Sequence, residues 1–214
     1  MSEESPIGGF RLDALLAESG MAQLDERVSQ RFKAYLSLIL RWNARVNLTS
    51  VRDEEGILSR HFVESIACAR ALPSEISTLL DFGSGAGFPG IPIALCRPEI
   101  AVTLAESQGK KAAFLAEACR TLGISATIHP DRAERIGRVF DCVVLRAVDK
   151  MTQAVTEAAA LVKENGWLAL MTTAEELKAL QSAAGSGFNW GDTVALPRSD
   201  SRILALGRKI SSPA

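Results

Sequence analysis

The sequence predicts an α/β fold: a mostly parallel sheet with helices on both faces, carried by residues 74–214 and closed by a C-terminal antiparallel hairpin, with a helical extension over residues 1–73. Three observations carry this prediction. Residues 11–72 show only helical periodicity. Beyond Pro73, short β-rich runs alternate with helical ones, the pattern of βαβ units around a parallel sheet. The last segment abandons that alternation for two short apolar runs around a turn.

In chain order, "FRLDALLAESG" sets leucines on one face and ends at Gly20. "LDERVSQRFKAYLSLILRWN" carries Val28, Phe32, Tyr35, Leu36, Ile39, Leu40 and Trp42 at helical spacing. The pattern breaks at Asn47–Asp53 and resumes as a helix, with Asp53 as N-cap and Glu54 and Glu55 in the first turn, where negative charge complements the helix dipole. Pro73 stops it. "STLLDFG", "IAVTLAES", "SATIHPD", "FDCVVLRA" and "GWLALMT" then read as strands. The runs "IPIALCR", "GKKAAFLAEACRTLG", "KMTQAVTEAAALVKENG" and "AEELKALQSAA" read as the helices among them. "DTVALPRSDSRILALGRK" reads as a terminal hairpin about its Pro-Arg-Ser-Asp-Ser turn.

The 214 residues suffice for one such domain plus an extension, and 47% hydrophobic content supplies its core. The net charge of -1 means that any nucleic-acid contact relies on a local basic patch. Cys68, Cys96, Cys119 and Cys142 are far apart, with no C-x-x-C pair and two histidines in the chain, so no metal site is expected. Each cysteine lies among apolar residues, as buried thiols do in a reducing compartment. The stretch "MSEESPIGGF" is acidic and lacks an apolar signal region, and no run approaches a membrane span. The expectation is a cytoplasmic protein with no membrane partner.

"LLDFGSGAGFPGIPIAL", Leu79–Leu95, can be read in two ways. From Gly85 it is a G-x-G-x-x-G, as in a dinucleotide site. From Asp81 it is an acid followed by Gly83, Ser84, Gly85 and Gly87, which fits S-adenosylmethionine (SAM). In both, a strand ends, glycines let backbone approach a ligand, and a helix begins. Pro89 withdraws one of the helix N-terminal N–H donors that a pyrophosphate needs. Asp81 would repel a pyrophosphate but can hold a cationic α-amino group. The terminal hairpin adds an antiparallel strand, which dinucleotide halves lack. Glu106 ends the second strand, where a carboxylate accepts from both ribose hydroxyls, and the loop around Ala133 and Glu134 lies where an adenine edge would be read. Together these favour SAM over NAD or FAD.

"LILRWNARVNLTSVRDEEGILSRHFVESI", "LLDFGSGAGFPGIPIAL", "LAESQGKKAAFL" and "VVLRAV" together resemble the bacterial small-subunit ribosomal RNA methyltransferase G family, also called glucose-inhibited division protein B. The resemblance covers about residues 25–172, and its most specific parts are Trp42, Asn43, Asn47, Leu48 and Thr49 and the G-F-P-G-I-P continuation. It implies a class I SAM-dependent methyltransferase fold, Rossmann-like, and transfer of methyl from SAM to N7 of a guanine in the decoding-region loop of 16S rRNA, within the 30S subunit or an assembly intermediate. By motif, Gly83 and Phe88 fall where the family contacts its cofactor. Ala133 and Glu134 match its adenine-side loop, and Arg146 matches its arginine after the fourth strand. Glu106 stands where many members have aspartate. Leu145 departs from the family's usual small residue, and 173–214 match weakly.

Guanine N7 is a neutral lone-pair nucleophile with no proton to lose, so no general base is required and the work is positioning and electrostatics. The sequence agrees: it offers no Ser-His-Asp set, no nucleophilic cysteine motif and no D/N-P-P-Y after the fourth strand. Arg146, at the carboxyl edge of the sheet, is the candidate catalytic residue. It can hold guanine O6 or a phosphate bidentately, pair with the SAM carboxylate, or merely fix its loop. Phe88 can pack on the cofactor, stack on the base, or staple the helix start. Candidate RNA contacts are Arg41, Arg45, Asn47, Arg52 and His61 in the extension, with Arg31, Lys33, Arg60 and Asn43 interleaved, and Lys110 and Lys111 after Glu106. A charged helix face is also what solvent alone would select. A monomer is expected. The alternatives are a dinucleotide-dependent oxidoreductase, a methyltransferase with another substrate, and an RNA-binding module with a vestigial pocket.

Overall fold

The structure is a computed structural model that describes residues 11–211. The acidic first ten residues, in which no signal region was read, lie outside the described residues. In the extension, α1 (Arg11–Glu18) buries Leu12, Leu15 and Leu16. Helix α2 (Glu26–Asn43) is capped by Asp25, which accepts from Arg27 N, and buries Phe32, Tyr35, Leu36, Leu38 and Ile39. The next helix starts at α3 (Glu54–Gly56), where Asp53 caps Gly56 N at 2.6 Å as expected. It then widens into a π-helical segment over Ile57–Val63 and returns to α geometry in α4 (Glu64–Ala71). The π segment was not foreseen. Wide turns of this kind gather at functional sites, and this one carries Arg60 and His61. The chain turns extended at Leu72, as the residue before Pro73 must.

The sheet follows: β1 (Thr78–Phe82), α5 (Gly90–Cys96), β2 (Ala101–Ala105), α6 (Gly109–Leu122), β3 (Thr127–His129), β4 (Phe140–Arg146), α7 (Met151–Ala160), β5 (Val162–Thr173), α8 (Ala174–Ala184), β6 (Phe188–Trp190), β7 (Val194–Ala195) and β8 (Arg202–Lys209). The strand order is β3-β2-β1-β4-β5-β8-β6, with β7 paired to β8. Strands β1–β5 run parallel; β8 inserts antiparallel to β5, β6 and β7. The direction of winding reverses between β1 and β4, which opens a crevice at their carboxyl ends.

Alternate strand residues face opposite cores. Leu79, Val102, Leu104, Val144 and Met171 join the extension helices, α5 and α6 in one cluster. Leu80, Phe82, Val143, Leu145 and Leu170 pack against α7 and α8 in the other. The extension therefore shares one face of the sheet with α5 and α6, and Tyr35 and Phe62 reach the glycine loop from it, Tyr35 5.5 Å and Phe62 5.8 Å from the Phe88 ring.

Two sequence expectations are corrected. Val162–Gly166 is not the end of a helix but the start of β5. Phe140 pairs with Val162 and Cys142 with Trp167, so Lys163–Gly166 bulges opposite Asp141 and Lys163 Nζ reaches its Oδ1 at 2.6 Å. Asn165 sits at φ 59, and a Cβ on Gly166 would meet the carbonyls of Asp141 and Lys163 at 2.9 Å, neither of which suits a helix. Strand β6 was missed because it is three residues long. It is fixed by Trp190, whose ring fills the space that a side chain at Gly207 would take, 2.9 Å from that Cβ position.

Candidate functional site

The turn from β1 into α5 is wound through three left-handed glycines, Gly83 (φ 75), Gly85 (φ 57) and Gly87 (φ 92). Their reasons differ. A Cβ at Gly87 would strike Ile91 at 2.5 Å and Tyr35 Oη at 2.7 Å, so Gly87 lets the loop lie on the core. A Cβ at Gly85 would meet nothing closer than 4.0 Å, so Gly85 leaves free space on the open side. Tyr35 Oη donates to Ala86 O from beneath.

Two carboxylates hold the loop. Glu106, just past β2, accepts from Gly85 N at 2.9 Å through Oε2 and from Gln108 N at 2.7 Å through Oε1. Asp81 Oδ2 accepts from Gly90 N at 3.0 Å and thereby caps α5, while Ser84 Oγ donates to Asp81 O. Asp81 is 1% exposed, and its Oδ1 has no partner among the described residues. Burial pushes its pKa up to about 7, against the pull of the Gly90 and Ser84 hydrogen bonds and of Arg146.

Two cavities open at the carboxyl edge and meet at Gly83, Glu106 and Val148. The smaller, of about 340 Å³, lies over Ala133, Glu134, Asp149 and Gln153. The larger, of about 690 Å³, is walled by Gly85, Phe88, His61, Lys111, Arg146 and Arg202. In the connection between β4 and α7, Ala147 (φ 49) and Lys150 (φ 52) hold left-handed conformations that side chains disfavour, and both residues border the cavities.

Arg146 lies in the larger cavity, largely buried. Its Nη2 donates to Arg60 O at 2.7 Å and to Glu64 Oε2 at 3.1 Å. Glu64 is fully buried and also receives Arg202, Nε to Oε1 at 2.7 Å with a second bond from Nη2. Two guanidiniums thus share one carboxylate, leaving a net positive charge at the cavity wall. Burial pulls Arg146 below its usual range and Glu64 pulls it back; a guanidinium stays charged either way. The Phe88 ring packs between the Arg146 guanidinium at 5.8 Å and the His61 ring at 4.8 Å. His61 Nε2 hydrogen-bonds Thr49 Oγ1 at 2.7 Å. Burial first, then the charges of Arg146, Arg60 and Arg202, push the pKa of His61 down to about 3, so it is neutral at pH 7.

The structure thus gathers Gly83, Ser84, Gly85, Phe88, Glu106, Ala133, Glu134 and Arg146 on the cavity walls, with His61 and Lys111 beside them. Asp81 and Gly87 line neither cavity and act from beneath the loop. Arg41, Arg45, Asn47, Arg52 and Lys110 also lie off the lining. Arg41 pairs with Glu117 at 2.8 Å, and Arg31 caps the carbonyls of Leu122 and Gly123 that end α6. Arg52 ties Asn47 Oδ1 at 2.6 Å and Asn43 O at 3.0 Å, while Asn43 Oδ1 accepts from Leu48 and Thr49 N. The basic extension is therefore partly consumed in its own scaffolding. Sequence reasoning missed Glu64, and with it the cluster that joins Arg202 to Arg146. Glu64 left one signal, an acid set between Val63 and Ile66 in an apolar helical stripe.

The residues fit SAM. Open space above Gly85 admits a ligand against backbone, and Glu106 stands where the two cavities join. The fold agrees. A SAM dependent methyltransferase from Aquifex aeolicus superposes with a TM-score of 0.56 at 15% identity, over 72% of this chain and 93% of that one. This is the fold of class I SAM-dependent methyltransferases, and SAM is its cofactor. Within that class the match is narrower. The family model for rRNA small subunit methyltransferase G matches residues 28–187. The ribosomal RNA small subunit methyltransferase G of Roseiflexus sp. (strain RS-1) is 41% identical over 72% of this chain and 70% of its own. That of Xanthomonas campestris pv. campestris (strain B100) is 37% identical over 85% and 86%. The chain belongs to the rRNA small subunit methyltransferase G family.

Proposed function

We propose that this protein methylates N7 of a guanine in the decoding-region loop of 16S rRNA, acting in the cytoplasm as a monomer on the 30S subunit or an assembly intermediate. The observation that carries the reading is the Arg146–Glu64–Arg202 cluster beside the glycine loop, a fixed cationic wall facing the space next to the cofactor residues. Guanine presents N7 and O6 side by side as acceptors, and a guanidinium is their complement.

SAM supplies an electrophilic methyl on a sulfonium, the sulfur keeping the bonding pair as the new N7–C bond forms. The rest of the chemistry is positioning by this chain. Gly83 and Gly85 bring backbone against the cofactor, Glu106 accepts from its ribose, and Ala133 and Glu134 border its adenine. Asp81, Ser84 and Gly87 hold the loop in shape from below, and Phe88 buttresses Arg146. No residue has to remove a proton, because N7 carries none. His61 suits such a site, since its depressed pKa makes it a poor base at pH 7. Arg41, Arg45, Asn47, Arg52, Lys110 and Lys111 are the proposed contacts to flanking phosphates, with His61 at the mouth.

The test is to incubate the protein and labelled SAM with 30S subunits from cells lacking this activity, then digest the 16S rRNA and analyse nucleosides by mass spectrometry. One 7-methylguanosine in the decoding-region loop is expected. Label on another base, on ribose or on protein would overturn the reading.

A further inference from the structure

Guanine differs from adenine chiefly at its Watson–Crick edge, where N1–H and the 2-amino group donate and a carboxylate is the matching acceptor. The carboxylates lining the larger cavity are Glu64, Glu106, Asp149 and Glu176. Three are committed. Glu64 is fully buried between Arg146 and Arg202. Glu106 and Asp149 line the smaller cavity as well, on the side proposed for the cofactor.

Glu176 lines the larger cavity and not the smaller. Its Oε2 accepts from Thr172 Oγ1 at 2.9 Å and Thr173 Oγ1 at 3.1 Å, while Oε1 has no hydrogen-bond partner among the described residues. Thr172 is buried at the end of β5, so the carboxylate is held against the sheet. Glu176 is the third residue after the Thr173 cap, the capping-box position; its carboxylate takes the two hydroxyls as its main hydrogen bonds and feels the Thr173 backbone N–H more weakly. Those hydroxyls keep the carboxyl below its usual range and ionised at pH 7. Thr173 pairs with Arg202 across β5 and β8, so Arg202 stands beside the residue that caps α8 and holds the Glu176 carboxylate. Guanine needs a donor for O6 and an acceptor for N1–H and the 2-amino group; adenine presents the opposite sense at both positions.

We propose that Glu176 selects guanine, accepting from N1–H and the 2-amino group of the target base while the arginine pair addresses O6. This rests on the guanine-N7 reading above, and the experiment separates the two. Reconstituted 30S subunits carry guanosine, inosine or 7-deazaguanosine at the target nucleotide, and kcat/KM is measured for each. Inosine lacks only the 2-amino group. The wild-type protein should prefer guanosine to inosine by about tenfold or more, the worth of one hydrogen bond to a charged acceptor. Glu176→Ala should lose activity on guanosine by a similar factor and treat guanosine and inosine alike, with SAM affinity unchanged. Glu176→Gln, which retains an acceptor for the two hydroxyls, should show the same collapsed ratio and serves if the alanine variant folds poorly. A variant that is slower on both substrates but keeps the wild-type ratio overturns the proposal, because that is what loss of a helix cap alone would do. Rapid methylation of 7-deazaguanosine, which has no N7, overturns the underlying reading whatever the ratio.

Discussion

The two cavities meet at Glu106 and are built by opposite means. The side proposed for the cofactor is made chiefly of backbone: a glycine turn, a carboxylate that grips Gly85 N, and a short 3-10 turn at Ala133–Arg135. The side proposed for the substrate is made of long side chains from distant elements. Arg146 comes from β4, Glu64 from α4, Arg202 from β8, His61 from the π segment and Glu176 from α8. The first half is fixed by where the chain can bend. The second is fixed by charges that satisfy one another only after the whole chain has folded. A ligand common to a large class fits the first kind of construction, and a particular substrate the second.

The sharpest way to break this division is to remove Arg146. If it belongs to the substrate half, Arg146→Ala lowers turnover by about 10²–10³ at saturating SAM and 30S subunits, the usual loss when a preorganised charge is deleted. Isothermal calorimetry should find SAM affinity within about threefold of wild type, a difference of less than 1 kcal/mol. A SAM dissociation constant raised as much as turnover is lowered would move Arg146 to the cofactor half.

That division also explains what could be read from the sequence. Every main strand, the Asp53 cap, the glycine loop and the cavity-lining positions of Glu106, Ala133 and Glu134 were legible because each is written in a short local stretch of sequence. Glu64 and Arg202 lie 138 positions apart, and nothing local announces their bond. Arg146 was legible as a residue at a strand end but not as a member of a cluster. The basic extension was legible only as charge, because Arg31, Arg41 and Arg52, which read as a solvent-facing patch, also hold carbonyls, Glu117 and Asn47. The boundary between α7 and β5 was missed because Lys163 and Gly166 act through tertiary contact with Asp141.

Within the cofactor half the effects should be smaller and confined to binding. Glu106→Ala removes the ribose acceptor and frees Gly85 N, so the SAM dissociation constant should rise by about one to two orders of magnitude, for about 1–3 kcal/mol. Gly85→Val should weaken SAM binding too, since its side chain fills the open space and its φ of 57 disfavours a branched residue. Gly87→Ala is the contrast. Its Cβ strikes Tyr35 and Ile91, so the thermal midpoint should fall more than in the Gly85 variant. Equal midpoints for the two would mean that the loop does not rest on the extension as described.

On the outer surface the effect should be electrostatic and graded. Arg45→Ala with Lys110→Ala removes two exposed charges that line neither cavity. RNA affinity should fall, and the slope of log affinity against log salt should flatten by about one for each phosphate that the variant no longer neutralises. SAM affinity should not change. An unaltered salt slope would place the RNA surface elsewhere, with the terminal hairpin and Arg198 as the next candidates.

The smallest expected effect tests whether Asp81 touches the cofactor or only braces its loop. Its carboxyl titrates at about 7 in the folded protein because burial disfavours the charge, against roughly 3.9 in an unfolded chain. The folded state therefore holds the proton more tightly. The stability that this confers is complete below about pH 4, is lost as pH rises through 7, and changes no further above that. Asp81→Asn keeps an acceptor for Gly90 N and cannot ionise, so this part of the pH dependence should vanish. Between pH 5 and pH 8 the thermal midpoint of the wild-type protein without SAM should fall relative to that of Asp81→Asn by a few degrees, at about 2–4 °C for each kcal/mol in a chain of this size. If Asp81 is only a brace, saturating SAM raises both curves equally. If its ionised form holds the cofactor's α-amino group, directly or through water, SAM stabilises the wild type more, and the gap between the curves narrows or reverses above pH 7. Parallel curves without SAM would show instead that the buried carboxyl does not titrate in this range.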